Sequence, residues 1–168
     1  MSEQRRVRPY STVLDVLRVE IDQDAFDAVL FSLETVAADL GYGDIRALPG
    51  SIAWIEHLRR RDKRIGLFAT GDRAPAALEL AGIAALFDDV TVGTRTAPTL
   101  VTAIQALGAP PERTVVVAAT ATSVAAARDA QAGIVIAVAR GFSSPEELRQ
   151  AGAHTVVADL QELLRAVT

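Results

Sequence analysis

Short runs of apolar residues, many of them β-branched, recur along the chain and alternate with segments of helical spacing. The runs have the length and composition of buried strands, and they fall at 28–33, 65–69, 90–92, 114–118, 134–138 and 155–157. Helical spacing is found at 51–61, 74–80, 100–107, 123–131, 145–150 and 160–166. A repeated strand-then-helix order predicts an α/β fold, a doubly wound, Rossmann-like parallel sheet with helices on both faces.

The first 25 residues fit this alternation poorly. They are apolar enough to pack, and either a short helix at 11–18 or an extended segment would serve. We therefore expect an N-terminal arm at 1–25, followed by one α/β core domain at 26–168. The arm could dock on its own domain or on a partner.

Composition excludes several functional classes. Half of the 168 residues are hydrophobic, which argues against disorder, and a net charge of −4 argues against nucleic-acid binding. There is no cysteine for a disulfide or a thiolate metal site, and we expect the two histidines, His57 and His154, to be structural. Neither a signal-peptide core nor a membrane-length apolar segment occurs, so we expect a cytoplasmic protein with no membrane partner.

Polar residues at the ends of the predicted strands are the candidates for chemistry, because doubly wound sheets bind ligands beyond the carboxyl ends of their strands. Ser32 and Glu34 follow the first strand, and Thr70 and Gly71 follow the second. Arg95 follows the third strand, and Ala119, Thr120 and Ala121 follow the fourth.

Four segments together carry a family resemblance. "FDAVLFSLETV" matches FDAVLFDLDGV, and "LPGSIAWIEHLRRRDKRIGLFATGD" matches a PG-x₄-L-x-x-L-x₃-G helix and a strand ending in Ser or Thr. "LELAGIAALFDDVTVG" matches L-x₃-G-L-x₃-FD, and "PPERTVVVAATATSVAAARDAQAGIVIAV" matches PPER-x-x-VVEDS with the helix that follows. From residue 26 to 164 the chain therefore resembles the haloacid dehalogenase-like (HAD) phosphohydrolases, and among them the β-phosphoglucomutase-like branch.

The resemblance also implies which family role belongs to each position at which this chain has a different residue. Ser32 stands where the family has its aspartate nucleophile, and Glu34 where it has its general acid and base. Ala118 and Ala119 stand at the acids that hold Mg²⁺, and Arg95 is the match for the lysine that contacts phosphate. Thr70, at the phosphate-binding Ser or Thr, is kept in type.

These substitutions predict a catalytically degenerate domain. Mg²⁺ requires carboxylate ligands, and a serine needs an adjacent base to become a nucleophile, so we expect no metal cofactor and no catalytic residue. What remains is suited to holding a phosphate or phosphometabolite without metal, with Thr70, Gly71 and Arg95 as the anion-binding residues. The alternative is an active HAD-type phosphohydrolase or phosphoglucomutase-like enzyme that uses Mg²⁺ in an atypical site.

The segment from Val36 to Leu48 is too short to hold the helical cap domain that mobile-lid members insert after the first strand. A capless core would uncover a face around Leu40, Tyr42 and Ile45. That face either becomes an interface with a second copy or a protein partner, or Leu40 and Ile45 fold back into the core.

Overall fold

The predicted parallel sheet is present. A computed structural model describes residues 26–41 and 43–167, so the N-terminal arm lies outside the described residues and the proposed domain boundary stays a prediction. Within the described residues six parallel strands pair in the order β5-β4-β1-β6-β7-β8. Their bounds are β1 Ala28–Ser32, β4 Arg64–Ala69, β5 Asp89–Val92, β6 Thr114–Ala118, β7 Ile134–Val138 and β8 Thr155–Val157.

All six predicted helices are present, with ends that move by up to three residues. Their bounds are α2 Ser51–Arg59, α3 Ala74–Leu80, α4 Ala97–Ala106, α5 Ala121–Asp129, α6 Pro145–Ala151 and α7 Leu160–Val167. One further turn of helix, α1 (Leu33–Val36), begins directly after β1. Leu33, predicted as the last residue of the first strand, therefore belongs to α1, because the chain turns away from the sheet there.

Successive side chains of the strands point to opposite faces of the sheet and pack into two separate hydrophobic cores. Val29 and Phe31 of β1 lie on one face, where Trp54 of α2 packs edge-on against Phe31 at 5.8 Å between ring centroids. Ala28 and Leu30 lie on the other face, which α4, α5 and α6 cover. Burial on both faces explains why these strands read as continuous apolar runs rather than as alternating ones.

The segment between α1 and α2 forms a small antiparallel hairpin of β2 (Ala37–Asp39) and β3 (Ile45–Ala47), which the sequence pattern did not predict. Ile45 packs against the first core, whereas the Leu40 side chain is 60% exposed. The sequence left open whether Leu40 and Ile45 fold back into the core or stay exposed. Ile45 folds back, whereas Leu40 stays exposed. Tyr42 lies outside the described residues.

Candidate functional site

A cavity of about 710 Å³ lies at the carboxyl edge of the sheet. Its walls come from α1, the β2–β3 hairpin, α3 with the loop that precedes it, and the loop after β7. Since β4, β1, β6 and β7 are neighbours in the sheet, the residues that follow them converge at this edge. The lining residues used below are Leu33, Glu34, Ala37, Asp39, Thr70, Arg73, Ala74, Ala77, Leu80, Arg140 and Phe142.

Ser32, at the position of the family nucleophile, is the last residue of β1 and is only 1% exposed. Its hydroxyl oxygen is buried and has no hydrogen-bond partner among the described residues, so Glu34 does not hydrogen-bond to it. The backbone carbonyl of Ser32 accepts a hydrogen bond from Thr35 Oγ1 at 2.7 Å. A nucleophilic serine needs both access and a base in contact with it, and Ser32 has neither in this arrangement.

The Glu34 side chain projects from α1 and contacts Arg95. Arg95 Nη2 donates to Glu34 Oε1 at 2.6 Å, and the glutamate side chain is 21% exposed. Arg95 itself comes from the loop before α4 and is not among the residues that line the cavity. The structure thus brings two predicted site residues together, but as an ion pair that neutralises both charges.

A second guanidinium, that of Arg140, contacts the backbone of the same residue. Arg140 Nη1 donates to the backbone carbonyl oxygen of Glu34 at 2.7 Å, although the two residues are 106 positions apart. The Arg140 guanidinium also lies over the Phe142 ring, 5.8 Å from its centroid. The Arg140 guanidinium is therefore held by two contacts, with the Glu34 carbonyl and with the Phe142 ring. It lies at the edge of the sheet where ligands of this fold bind.

The donor set at this edge does not fit Mg²⁺. Ala118 and Ala119, at the positions of the family's metal-binding acids, are buried methyl groups, and Ser32 offers no carboxylate. Among the described residues no group of three or more histidine or acidic side chains could hold a metal ion. Arg140 already occupies the Glu34 carbonyl, and its positive charge would repel a divalent cation.

Thr70 and Gly71 follow β4, as predicted, and they differ in their relation to the cavity. Thr70 is exposed and lines the cavity, whereas Gly71 does not line it and takes a positive φ of 80° in the turn towards α3. Arg73, two residues further on, lines the cavity as well. Neither the Thr70 hydroxyl nor the Arg73 guanidinium contacts a polar group of another described residue.

The cavity residues that sequence reasoning missed include Arg73, Arg140 and Phe142. Arg140 comes two residues after the end of β7, so the strand-end rule that identified Glu34 and Thr70 would have found it had the fifth predicted strand been included. Arg73 and Phe142 carry no comparable signal, because each belongs to a loop whose course the pattern of apolar residues does not specify.

The loop after β7 is fixed at its far end as well. Ser143 Oγ accepts a hydrogen bond from the backbone N–H of Ala121, the first residue of α5, at 3.0 Å. Ser144 caps α6: its Oγ accepts from Glu147 N–H, and Glu147 Oε1 accepts from Ser144 N–H. The two hydrogen bonds with Ser144 lower the pKa of Glu147. Together with the contact of Ser143, they fix the end of the loop that carries Arg140 and Phe142.

The fold and the position of the cavity define a doubly wound α/β domain with a ligand site at the carboxyl ends of its parallel strands. Residues 9–131 match the family model of the haloacid dehalogenase-like hydrolases, and the chain belongs to that family. Trehalose-phosphate phosphatase of Mycobacterium leprae is 31% identical over 153 residues, 87% of this chain. The chain spans only 34% of the length of that relative.

Solved structures share the fold. A candidate β-phosphoglucomutase from Thermotoga maritima superposes with a TM-score of 0.75 at 16% identity, covering 84% of this chain and 98% of its own. A HAD-family hydrolase from Deinococcus radiodurans, solved with bound phosphate and sodium, gives 0.74 at 19% identity, covering 85% and 95%. The family resemblance and the fold of the β-phosphoglucomutase-like branch are thus confirmed. In the described part of the chain, every helix is too short or too polar to cross a membrane.

Proposed function

We propose that this chain is a catalytically degenerate, capless HAD-like domain that binds a phosphate-type anion without metal and does not transfer phosphoryl groups. The observation that carries the proposal is the contact of Arg140 with the Glu34 carbonyl. It places a fixed positive charge at the mouth of the sheet, where an active relative needs a cation held by carboxylates. A guanidinium pairs well with phosphate, and here it needs no metal to supply the charge.

The charges around the cavity support anion binding. Glu34 is paired with Arg95, which leaves Arg73 and Arg140 as the positive groups on the wall. Thr70 adds a hydroxyl donor, as the family match predicts. Asp39 is the remaining negative group among the lining residues, and it lies on the β2–β3 hairpin.

Two further readings have observations in their favour. The family and the similarity to a trehalose-phosphate phosphatase favour an active Mg²⁺-dependent phosphohydrolase or mutase with an atypical site. The exposed Leu40, which the absence of a cap would leave uncovered, favours a second copy or a protein partner at the hairpin. A cytoplasmic location agrees with each of these readings and stays a prediction.

Titration calorimetry with inorganic phosphate, with and without MgCl₂, tests the proposal. We expect the same affinity in both conditions, and no Mg²⁺-dependent hydrolysis of p-nitrophenyl phosphate or trehalose 6-phosphate. Arg140→Met should weaken phosphate binding roughly tenfold or more, since hydrogen bonds to charged groups contribute about 1.5–3 kcal/mol. Arg60→Met, an exposed position at the end of α2 away from the cavity, is the matched control.

The variant Glu34→Gln separates the proposal from the enzymatic alternative, because the proposal predicts tighter phosphate binding and the alternative predicts loss of turnover. Removing the carboxylate frees Arg95 and deletes a negative charge beside the anion, so we expect phosphate to bind a few-fold more tightly. In a working enzyme the same change would remove the general acid and base and abolish turnover. Mg²⁺-dependent turnover that Glu34→Gln eliminates would refute the proposal.

A further inference from the structure

We infer that the cavity selects phosphate monoesters with an apolar alkyl or aryl body over both inorganic phosphate and sugar phosphates. The inference rests on the proposed function, since it takes Arg73, Arg140 and Thr70 as the groups that hold the phosphate. It specifies, in addition, the chemical character of the organic group that the phosphate carries.

The volume of the cavity shows that phosphate alone would not fill it. About 710 Å³ falls within the range of 300–1,000 Å³ typical of sites for organic ligands. Small side chains create this space: Ala37, Ala74 and Ala77 lie on its wall and are themselves 7%, 1% and 7% exposed. A ligand that uses the whole cavity therefore has a body beyond its charged group.

The wall that this body would meet is apolar. Leu33 of α1 adds to the three alanines, and two large hydrophobic residues stand at the rim, Leu80 at 60% exposure and Phe142 at 57%. Exposed side chains of this size leave apolar surface in water, and an apolar ligand body would cover it.

The apolar part of the wall is poorly suited to a sugar. Each of the two carboxylates makes one contact, Glu34 Oε1 with Arg95 and Asp39 Oδ1 with the backbone N–H of Gly41 at 2.8 Å. The Glu34 carbonyl accepts from Arg140. A sugar ring would have to give up water around several hydroxyl groups, and the alanine and leucine side chains of the wall offer no hydrogen bond in return, which is unfavourable.

Titration calorimetry of the full chain without Mg²⁺ tests this selection with four ligands: inorganic phosphate, hexyl phosphate, phenyl phosphate and glucose 6-phosphate. We expect hexyl and phenyl phosphate to bind at least about tenfold more tightly than inorganic phosphate, which burial of two methylene groups would suffice to give. Glucose 6-phosphate should bind no more tightly than inorganic phosphate. A fifth titration uses hexyl carboxylate (heptanoate), which has the same hexyl chain on a carboxylate. Its affinity, compared with that of hexyl phosphate, shows whether the charged group must be a phosphate.

Leu80→Ser tests the apolar wall directly. It should weaken hexyl phosphate binding roughly fivefold and leave inorganic phosphate binding unchanged, because only the ligand body contacts this side chain. Ile52→Ser is the matched control, since Ile52 is an exposed apolar residue of α2 that does not line the cavity.

The inference and the proposed function fail in different ways. If inorganic phosphate binds without Mg²⁺ but hexyl and phenyl phosphate bind no more tightly, or glucose 6-phosphate binds best, the inference is wrong and the proposed function stands. If hexyl carboxylate binds as tightly as hexyl phosphate, selection for a phosphate group is wrong. Absence of binding by all four phosphate compounds would overturn both.

Discussion

The buried hydroxyl of Ser32 is an unusual group for its surroundings. It lies at the end of β1 beside a core of apolar side chains, and no group in the described part of the chain hydrogen-bonds to its oxygen. A buried polar group without a partner costs about 1–3 kcal/mol relative to water. Selection for catalysis would justify this cost in an active enzyme, whereas under the proposed function Ser32 has no such role.

Replacing Ser32 by alanine should therefore not destabilise the protein. We expect Ser32→Ala to raise the free energy of unfolding by about 1 kcal/mol, because the change removes an unsatisfied hydroxyl and leaves a side chain that fits the site. Urea denaturation measures the difference. Thr35→Val is the control, since it removes a hydrogen bond that is made, from Thr35 Oγ1 to the Ser32 carbonyl, and should cost about 1 kcal/mol. A loss of stability in Ser32→Ala as large as that in Thr35→Val would contradict this account.

At the scale of elements, the loop after β7 matters most to the cavity because it presents both Arg140 and Phe142. The capping box of Ser144 and Glu147 fixes the point at which this loop turns into α6. A serine cap of this kind contributes about 0.5–2 kcal/mol. We therefore expect the position of the Arg140 guanidinium to depend in part on this helix cap, four residues away.

The variant Ser144→Ala should loosen this loop. We expect it to lower the free energy of unfolding by about 1 kcal/mol and to weaken phosphate binding, since Arg140 would be less well held. Ser144→Thr keeps a capping hydroxyl and is the control. The measurements are urea denaturation and calorimetry. Loss of stability with unchanged phosphate affinity would show that the Glu34 carbonyl alone positions Arg140.

The six strands and six of the helices could be predicted because they carry apolar, often β-branched runs or apolar residues at helical spacing in a regular order. The β2–β3 hairpin and α1 could not, since α1 is a single turn and the two hairpin strands have only Ala37 buried, so neither shows such a pattern. Glu34 and Thr70 were identified because they follow strands directly. The pairing of Glu34 with Arg95, and the long-range contact of Arg140 with Glu34, depend on side-chain conformations that spacing does not encode.

At the scale of the whole molecule, stability should depend on pH through a histidine far from the cavity. His154, just before β8, is half-buried, and its Nδ1 accepts a hydrogen bond from Val135 N–H at 2.9 Å. Arg128 Nη1 lies 3.1 Å from its Nε2. Burial, together with the charge of Arg128, lowers the pKa of His154 below its ordinary value of 6.5. Burial and the neighbouring Arg61 and Arg60 lower the pKa of His57 in the same way.

The sign of the pH effect follows from these lowered pKa values. As the pH falls through about 6.5, the unfolded chain takes up protons at His57 and His154, whereas the folded chain takes them up only at lower pH, so the free energy of unfolding should fall with the pH across this range. The pKa values of Asp27 and Glu147 are also lowered in the folded chain. These carboxyl groups therefore reduce the free energy of unfolding in a separate, more acidic range, as the pH falls past their ordinary pKa values of 3.8 and 4.5.

Urea denaturation at pH 7.5 and pH 5.0 checks this dependence. We expect the unmodified chain to be less stable at pH 5.0, and His154→Asn to lose less stability between the two pH values. The asparagine side-chain oxygen can accept the hydrogen bond from Val135 in place of Nδ1, so the variant removes the titrating group without removing the acceptor. A second change, His57→Gln, should reduce the remaining difference further. Equal losses in the unmodified chain and in both variants would show that neither histidine is the source.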